Sequence, residues 1–401
     1  MTPLQPDLQA APKPESLPPK PLELNPSPGT GRLLSLDFFR GLTIALMILV
    51  NNAGSDEHYW PLSHAKWNGW TPTDLVFPFF LFITGVSLVY SFSSRLARGQ
   101  SRGELMRHVV RRAAILILLG LFINGFPNRY NPHTLRFEGV LQRIGLCYLA
   151  ASVIYFWTKP RGRAAVIFLC LIGYWVVMRF VPVPGFGTPT HQIPLLDPDR
   201  NLTAWLDRLL FSGHLYEGTR DPEGVLSTIP AIASVLFGVF TGEWLRSARA
   251  SGKKVLGMLA CGAAGSLLAE AWNIWFPINK KLWTSSFVLL TTGLALIVFG
   301  LCYWLLDVRK ARWIPTKPAT VFGMNAIAAY VFSEVFAILL DVARWPGSHP
   351  PSRSFHGGIY ATLFAPLGSH GFGSLIYSIC FVLVCWALMW ALYRRKIFFK
   401  I

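Results

Sequence analysis

The sequence predicts an all-α, polytopic integral membrane protein of about ten transmembrane helices. Of its 401 residues, 52% are hydrophobic and only 14% charged, against about 25% charged for soluble domains. Apolar runs approaching the ~20 residues of a bilayer-spanning helix recur along the chain, and Lys and Arg are dense and sparse in alternate connecting segments. Fifteen Trp and 29 Phe suit lipid-facing surfaces and interfacial belts. A net charge of +17 would fit nucleic acid, but its distribution is topogenic, so no nucleic-acid partner is expected and membrane lipids are.

In chain order the first run, 34–53, begins "RLLSLDFFRG". The second, 74–94, opens at Asp74, with Thr71 or Thr73 as cap and Pro78 tolerated in its first turns. The third, 113–126, is short and borrows from the flanking "RHVVRR"; the fourth, 139–157, carries Gln142 and Arg143. Runs at 164–181, 227–245, 255–276 and 284–306 follow, then 319–340 with "GMNAIAAYVFSE", and finally 371–393.

Ten crossings put both termini on one side. Segments on that side hold 25 of the 37 Lys and Arg and the opposite segments 10, with Arg143 and Arg179 inside spans. The positive-inside rule makes the termini cytoplasmic. Residues 1–31, with nine prolines, read as a disordered cytoplasmic tail, leaving 32–401 as the transmembrane domain. The tail lacks the apolar stretch of a signal peptide. All six cysteines fall within the runs without zinc-ligand spacing, so they read as packing residues and no metal is expected. Eight of nine histidines lie on the outer side.

The chemistry gathers in "NNAGSDEHYWPLSHAKWNGWTPTDLVFP", residues 51–78. Arg40 should stay near the inner interface, because a charge at a helix centre costs ~2.5–3.5 kcal/mol. Asn51 is 11 residues on, ~17 Å of helix, short of the ~30 Å hydrocarbon core. Its amide therefore needs a protein-lined or watery cavity. His64 follows, bracketed by aromatics. A lone outer-loop histidine is ordinarily a solvated surface residue, and an asparagine at a span end can be only a cap or helix bridge. Together they offer a base near neutrality and an amide N–H for a developing oxyanion.

Other buried polar groups need partners. Arg143 should face a cavity or an acid, Asp74 being one option, and a purely structural ion pair is the other reading. Glu334 should be neutral or paired; Asn325, beside Gly323, can be ordinary helix packing. Lys281 can attract an anionic acceptor or anchor the interface.

Seven stretches in order, "RLLSLDFFRGLTIALMILVNN", "HAKWNGWTPTDLVFPFFLFITG", "GVLQRIG", "DPEGVLSTIPAI", "PINKKLWTSSFVL", "GMNAIAAYVFSEVF" and "YRRKIFFKI", resemble the heparan-α-glucosaminide N-acetyltransferase family of membrane acetyltransferases, from Arg32 to Ile401. The resemblance implies acetyl transfer from cytoplasmic acetyl-CoA to a glucosamine-type amino sugar or glycan across the membrane. His64 and Asn51 match the catalytic histidine and active-site asparagine. Arg32, Asp37 and Arg40 resemble the acyl-donor end of the wider membrane acyltransferases, with Arg143 and Asn325 assigned to the same donor. Trp67, Asn68, Asp74, Lys281 and Glu334 are assigned to the acceptor. The family analogy implies a homodimer, and the location expected is the bacterial cytoplasmic membrane. An additional N-terminal lumenal domain is not evident, and the Asn51-to-His64 spacing is slightly longer, so donor and chemistry carry over better than acceptor. A transporter or flippase for a sugar or lipid-linked glycan would share the spans and polar cavity without needing a CoA site.

Overall fold

The computed structural model describes residues 33–127, 129–346, 353–368 and 371–399. Arg32 and the proline-rich segment 1–31 lie outside the described residues. Helices α1 (Leu34–Asn51), α2 (Val76–Leu96), α3 (Arg102–Gly125), α4 (Val140–Trp157), α5 (Pro160–Phe168), α6 (Tyr174–Phe180), α7 (Leu202–Phe211), α8 (Val225–Arg246), α9 (Ser251–Asn273), α10 (Ser285–Tyr303), α11 (Thr316–Met324), α12 (Ala326–Val342), α13 (Phe355–Ile359) and α14 (Phe372–Arg394) make up the fold. Among the described residues there is no strand, only isolated bridges. A π turn at Leu169–Gly173 fuses α5 and α6 into one span.

Local chemistry starts these helices where it does. Asp307 caps α1 from 272 residues away, accepting from Leu34 N at 3.2 Å and Ser35 N at 3.1 Å. Ser101 and Glu104 form a reciprocal capping box on α3, satisfying two of its orphan N-terminal donors. A second box, Thr71 with Asp74, opens the 3₁₀ turn leading into α2. Asn201 accepts from Ala204 N at 2.9 Å to start α7.

Among the described residues, eight helices are long and apolar enough to cross a membrane, and the pair α11 and α12, bent by 82°, makes nine. The expectation was ten. The tenth is α3, which has 24 residues but carries Arg102, Glu104, Arg107, Arg111 and Arg112 in its first half, leaving an apolar remainder shorter than a bilayer. The continuous run expected at 319–340 is also broken. Asn325 leaves helical geometry at φ −127°, ψ 37°, a kink that uniform apolarity gave no sign of.

α2 and α8 form the buried centre, and α9 and α14 are the most peripheral spans. Small residues allow close approach of backbones, as is common where lipid removes the hydrophobic driving force between helices. A Cβ on Gly85 would overlap the Val235 carbonyl of α8, and one on Gly41 would overlap the Ala319 carbonyl of α11. The connections after α1, α3, α6 and α9 gather at one end of the bundle. Gly69 N donates to Ile278 O at 2.8 Å, Trp67 Nε1 to Leu196 O at 2.8 Å, and His214 Nδ1 lies 2.8 Å from Leu135 O. These are segments that the charge bias assigns to a common side.

Candidate active site

The linker after α1 is ordered by its own side chains. Thr71 Oγ1 donates to Ser63 O at 2.5 Å and Thr73 Oγ1 to Pro61 O at 2.9 Å, folding 60–75 into a compact loop. Asp74 lies inside it, 1% exposed. Its Oδ2 accepts from Ala65 N and Thr71 N, both at 3.0 Å, and lies 3.1 Å from Thr71 Oγ1. Its Oδ1 is 2.7 Å from His64 Nδ1. An ionised carboxylate only accepts, so this bond assigns the imidazole proton to Nδ1 and leaves the lone pair on Nε2. The His64 side chain is 48% exposed, and its ring is open to a ligand.

Lys280 completes the group. Its Nζ lies 3.3 Å from Asp74 Oδ1 and 2.9 Å from His64 Nδ1; with the proton on Nδ1, both nitrogens are donors that converge on Asp74 Oδ1 and do not bond each other. The turn that delivers it is built on buried Asn279, whose Oδ1 accepts from Leu282 N at 2.9 Å and whose Nδ2 donates to Asn68 Oδ1 at 3.1 Å. Burial holds the Lys280 ammonium below the usual lysine range, against the opposing pull of Asp74 and Glu223. Histidine, carboxylate and lysine thus form one compact cluster, and groups perturbed in this way mark a candidate functional site.

Asn51, the last residue of α1, is exposed rather than enclosed in a cavity, and its side chain lies near that of Glu334 of α12. Glu334 is in electrostatic range of Tyr330, and Tyr330 of Glu223 and Arg136. Glu223 is in turn in range of Lys280. Charged and polar groups of α12 and of the loop before α8 thus lie within electrostatic range of one another between Asn51 and Lys280.

The remaining sequence candidates fall into separate groups. Trp67 has its ring under the Arg220 guanidinium at 5.2 Å. Arg220 binds Glu217 at 2.6 Å, and Lys281 binds Glu217 at 2.7 Å. Asp37 and Arg40 pair at 3.3 Å, and Arg40 also reaches Ser87 Oγ at 2.6 Å and Gly323 O at 3.3 Å. Asn325 binds the backbone of the C-terminal segment. Arg143 does not pair with Asp74. It is 1% exposed, donates to Gly224 O at 3.1 Å and Ser227 Oγ at 2.5 Å, and lies over the Trp283 ring at 5.1 Å. The reason is geometric: Asp74 turns toward the linker, whose amides already surround it.

An acid-rich layer lies beside Arg143. Arg136 grips Asp221 through two bonds, of 2.7 and 2.6 Å, and Glu223 at 2.6 Å. Burial, reinforced by Asp207 and Asp221, pushes the Glu138 carboxyl up to about 9. Burial likewise raises Asp207 to about 7. Lys280, Glu223, Tyr330 and Arg136 were not singled out from sequence. Lys280 adjoins Lys281, and only the turn geometry distinguishes the one that reaches His64.

Fold and site together define a polytopic membrane protein that holds, among the loops at one end, a half-exposed histidine whose Nδ1 faces a buried carboxylate. The chain belongs to the family described as heparan-alpha-glucosaminide N-acetyltransferase, catalytic, whose model matches residues 32–268. It is 31% identical over 420 aligned positions to the heparan-alpha-glucosaminide N-acetyltransferase of Homo sapiens and to that of Mus musculus, covering 92% of this chain. It spans about 60% of the length of these curated relatives. Asn51, His64 and Asp74 lie inside the family match, whereas Lys280, Asn325 and Glu334 lie beyond residue 268.

Proposed function

We propose that this protein transfers acetyl from acetyl-CoA to the amine of a glucosamine-type sugar across the membrane. The donor enters from the cytoplasmic end, where Asp37 and Arg40 lie, and the acceptor from the His64 end. In the reaction the amine nitrogen attacks the thioester carbonyl, the C–S bond breaks, and CoA leaves as a thiolate that takes up a proton. His64 Nε2 accepts the proton lost by the amine. The positive imidazolium that results is balanced by Asp74 at Nδ1. Asn51 supplies an amide N–H to the developing oxyanion. An acetyl-histidine intermediate would use the same Nε2.

The observation that carries this reading is the 2.7 Å contact between His64 Nδ1 and buried Asp74, because it leaves the Nε2 lone pair free on a half-exposed side chain. Family membership supports the acetyl donor and the amino-sugar acceptor. The test is CoA thiol release by purified protein in nanodiscs, given acetyl-CoA and a panel of glucosamine-containing acceptors. Turnover that is lost in His64→Ala supports the proposal. Translocation of a sugar with no acetyl-CoA binding would replace it with a carrier.

A further inference from the structure

The chain does not run straight off the end of α14. Lys396, at φ 57°, takes the left-handed turn that closes helix C-termini. The backbone folds back, with Lys396 N donating to Tyr393 O at 3.0 Å and Ile397 N to Leu392 O at 2.9 Å. Two anchors hold the returning segment. Phe398 meets Tyr393 edge-on at 6.1 Å, at the end of a stack in which Trp386 and Trp390 lie 5.5 Å apart and Trp390 and Tyr393 5.7 Å apart. This stack is tied to α11 by Trp386 Nε1 donating to Pro318 O at 3.1 Å and by Lys317 Nζ over Trp390 at 4.7 Å. The second anchor is Asn325, 1% exposed. Its Nδ2 donates to Ile397 O and its Oδ1 accepts from Phe399 N, each at 3.0 Å.

That paired contact falls at the 82° break between α11 and α12. Neither the end of α11 nor the start of α12 has a side-chain cap, and a break inside a membrane protein persists only where other groups satisfy and hold it. α11 is wedged on α1, since a Cβ on Gly323 would overlap the Asp37 carbonyl. α12 leaves the break and carries Tyr330 and then Glu334 to Asn51. Glu334 is nine residues beyond Asn325, about 13.5 Å along a helix. A swing of about 10° at the break would displace it by about 2 Å, enough to change its position relative to Asn51 by most of a hydrogen-bond length of about 3 Å.

We propose that residues 396–399 are a latch that fixes the α11–α12 angle, and that Asn325 is a positioning residue acting through α12 on Glu334 and Asn51 rather than a ligand of the donor. The proposal rests on the acetyl-transfer reading for its kinetic arm only.

The experiment uses the full chain in nanodiscs with Asn325→Ala, Phe398→Ala, their combination, and Phe398→Tyr. Hydrogen exchange over residues 326–334 is read without ligand, and kcat and KM for acetyl-CoA with the best acceptor. Both single variants should speed exchange in that stretch and lower kcat roughly 10- to 100-fold, the scale of a misplacement of about 1 Å, with KM changed less than about twofold. The double variant should be no worse than either single, and Phe398→Tyr should behave as wild type. Unchanged exchange in Phe398→Ala would overturn the latch, as would independent, multiplying effects of the two substitutions. A rise in KM confined to Asn325→Ala would overturn it too, making that residue a donor ligand. A wild-type protein without turnover would refute the acetyl-transfer reading, and the exchange data would still decide the latch.

Discussion

In an Asp74→Asn variant the new carboxamide keeps the shape of the carboxylate but reverses one of its ends. Its oxygen can take the place of Oδ2 and still accept from Ala65 N and Thr71 N, both at 3.0 Å, so the loop retains its fold. The NH₂ group then occupies the Oδ1 position, 2.7 Å from His64 Nδ1 and 3.3 Å from Lys280 Nζ. Donor would face donor, and the imidazole relieves this by moving its proton to Nε2, removing the base from the reacting face. With charge centres about 4 Å apart and an effective dielectric of ~20, the lost carboxylate–imidazolium attraction is about 4 kcal/mol. Because the His64 side chain is 48% exposed, solvent screening brings this nearer to about 2–3 kcal/mol, or roughly 10²-fold in rate at about 1.4 kcal/mol per decade. The assay is steady-state CoA release with acetyl-CoA and a glucosamine acceptor, run beside a thermal melt to confirm folding. A folded variant that loses less than about threefold in kcat would refute the tautomer argument.

Asn51→Ala should lower kcat roughly 10²- to 10³-fold, the usual cost of removing an oxyanion donor, with acetyl-CoA binding by calorimetry unchanged; a weakened Kd at full kcat would make it a binding residue. The folded-state Glu138 pKa of about 9 exceeds its ordinary value of 4.5. The native protein thus holds a proton that the unfolded chain has lost, and stability falls as pH rises through that window, by up to about 1.4 kcal/mol per unit. Glu138→Gln has no proton to lose, so melts should show its stability relative to wild type rising from pH 5 to 8; a constant difference would contradict the buried neutral acid. Gly323→Ala drives a Cβ against the Asp37 carbonyl and should destabilise by about 1–3 kcal/mol. An unchanged melting temperature would mean that α1 and α11 separate freely.

The linker 51–78 was readable as the place of chemistry because polar and aromatic residues between two apolar runs require an explanation, and His64 and Asn51 stand out there by type. Asp74 was legible as the opening of the second span and as a partner for Arg143, but the same carboxylate serves the loop and the imidazole. Its allegiance depends on the direction in which the 3₁₀ turn points it. Glu334 needed a partner by burial alone. That Asn51 is the polar group nearby follows from the end of α1 meeting the middle of α12, 283 residues apart at these positions.

Composition, apolar run length and Lys/Arg asymmetry by themselves determined the class of protein and the grouping of its loops, because lipid demands satisfied helices and charges stay outside it. They could not locate the 82° break at Asn325 or choose Lys280 over Lys281. Hydropathy records what each residue prefers as a solvent; a kink or an ion pair depends on which distant backbone arrives beside it, and only the folded chain brings Ile397 and Phe399 to Asn325.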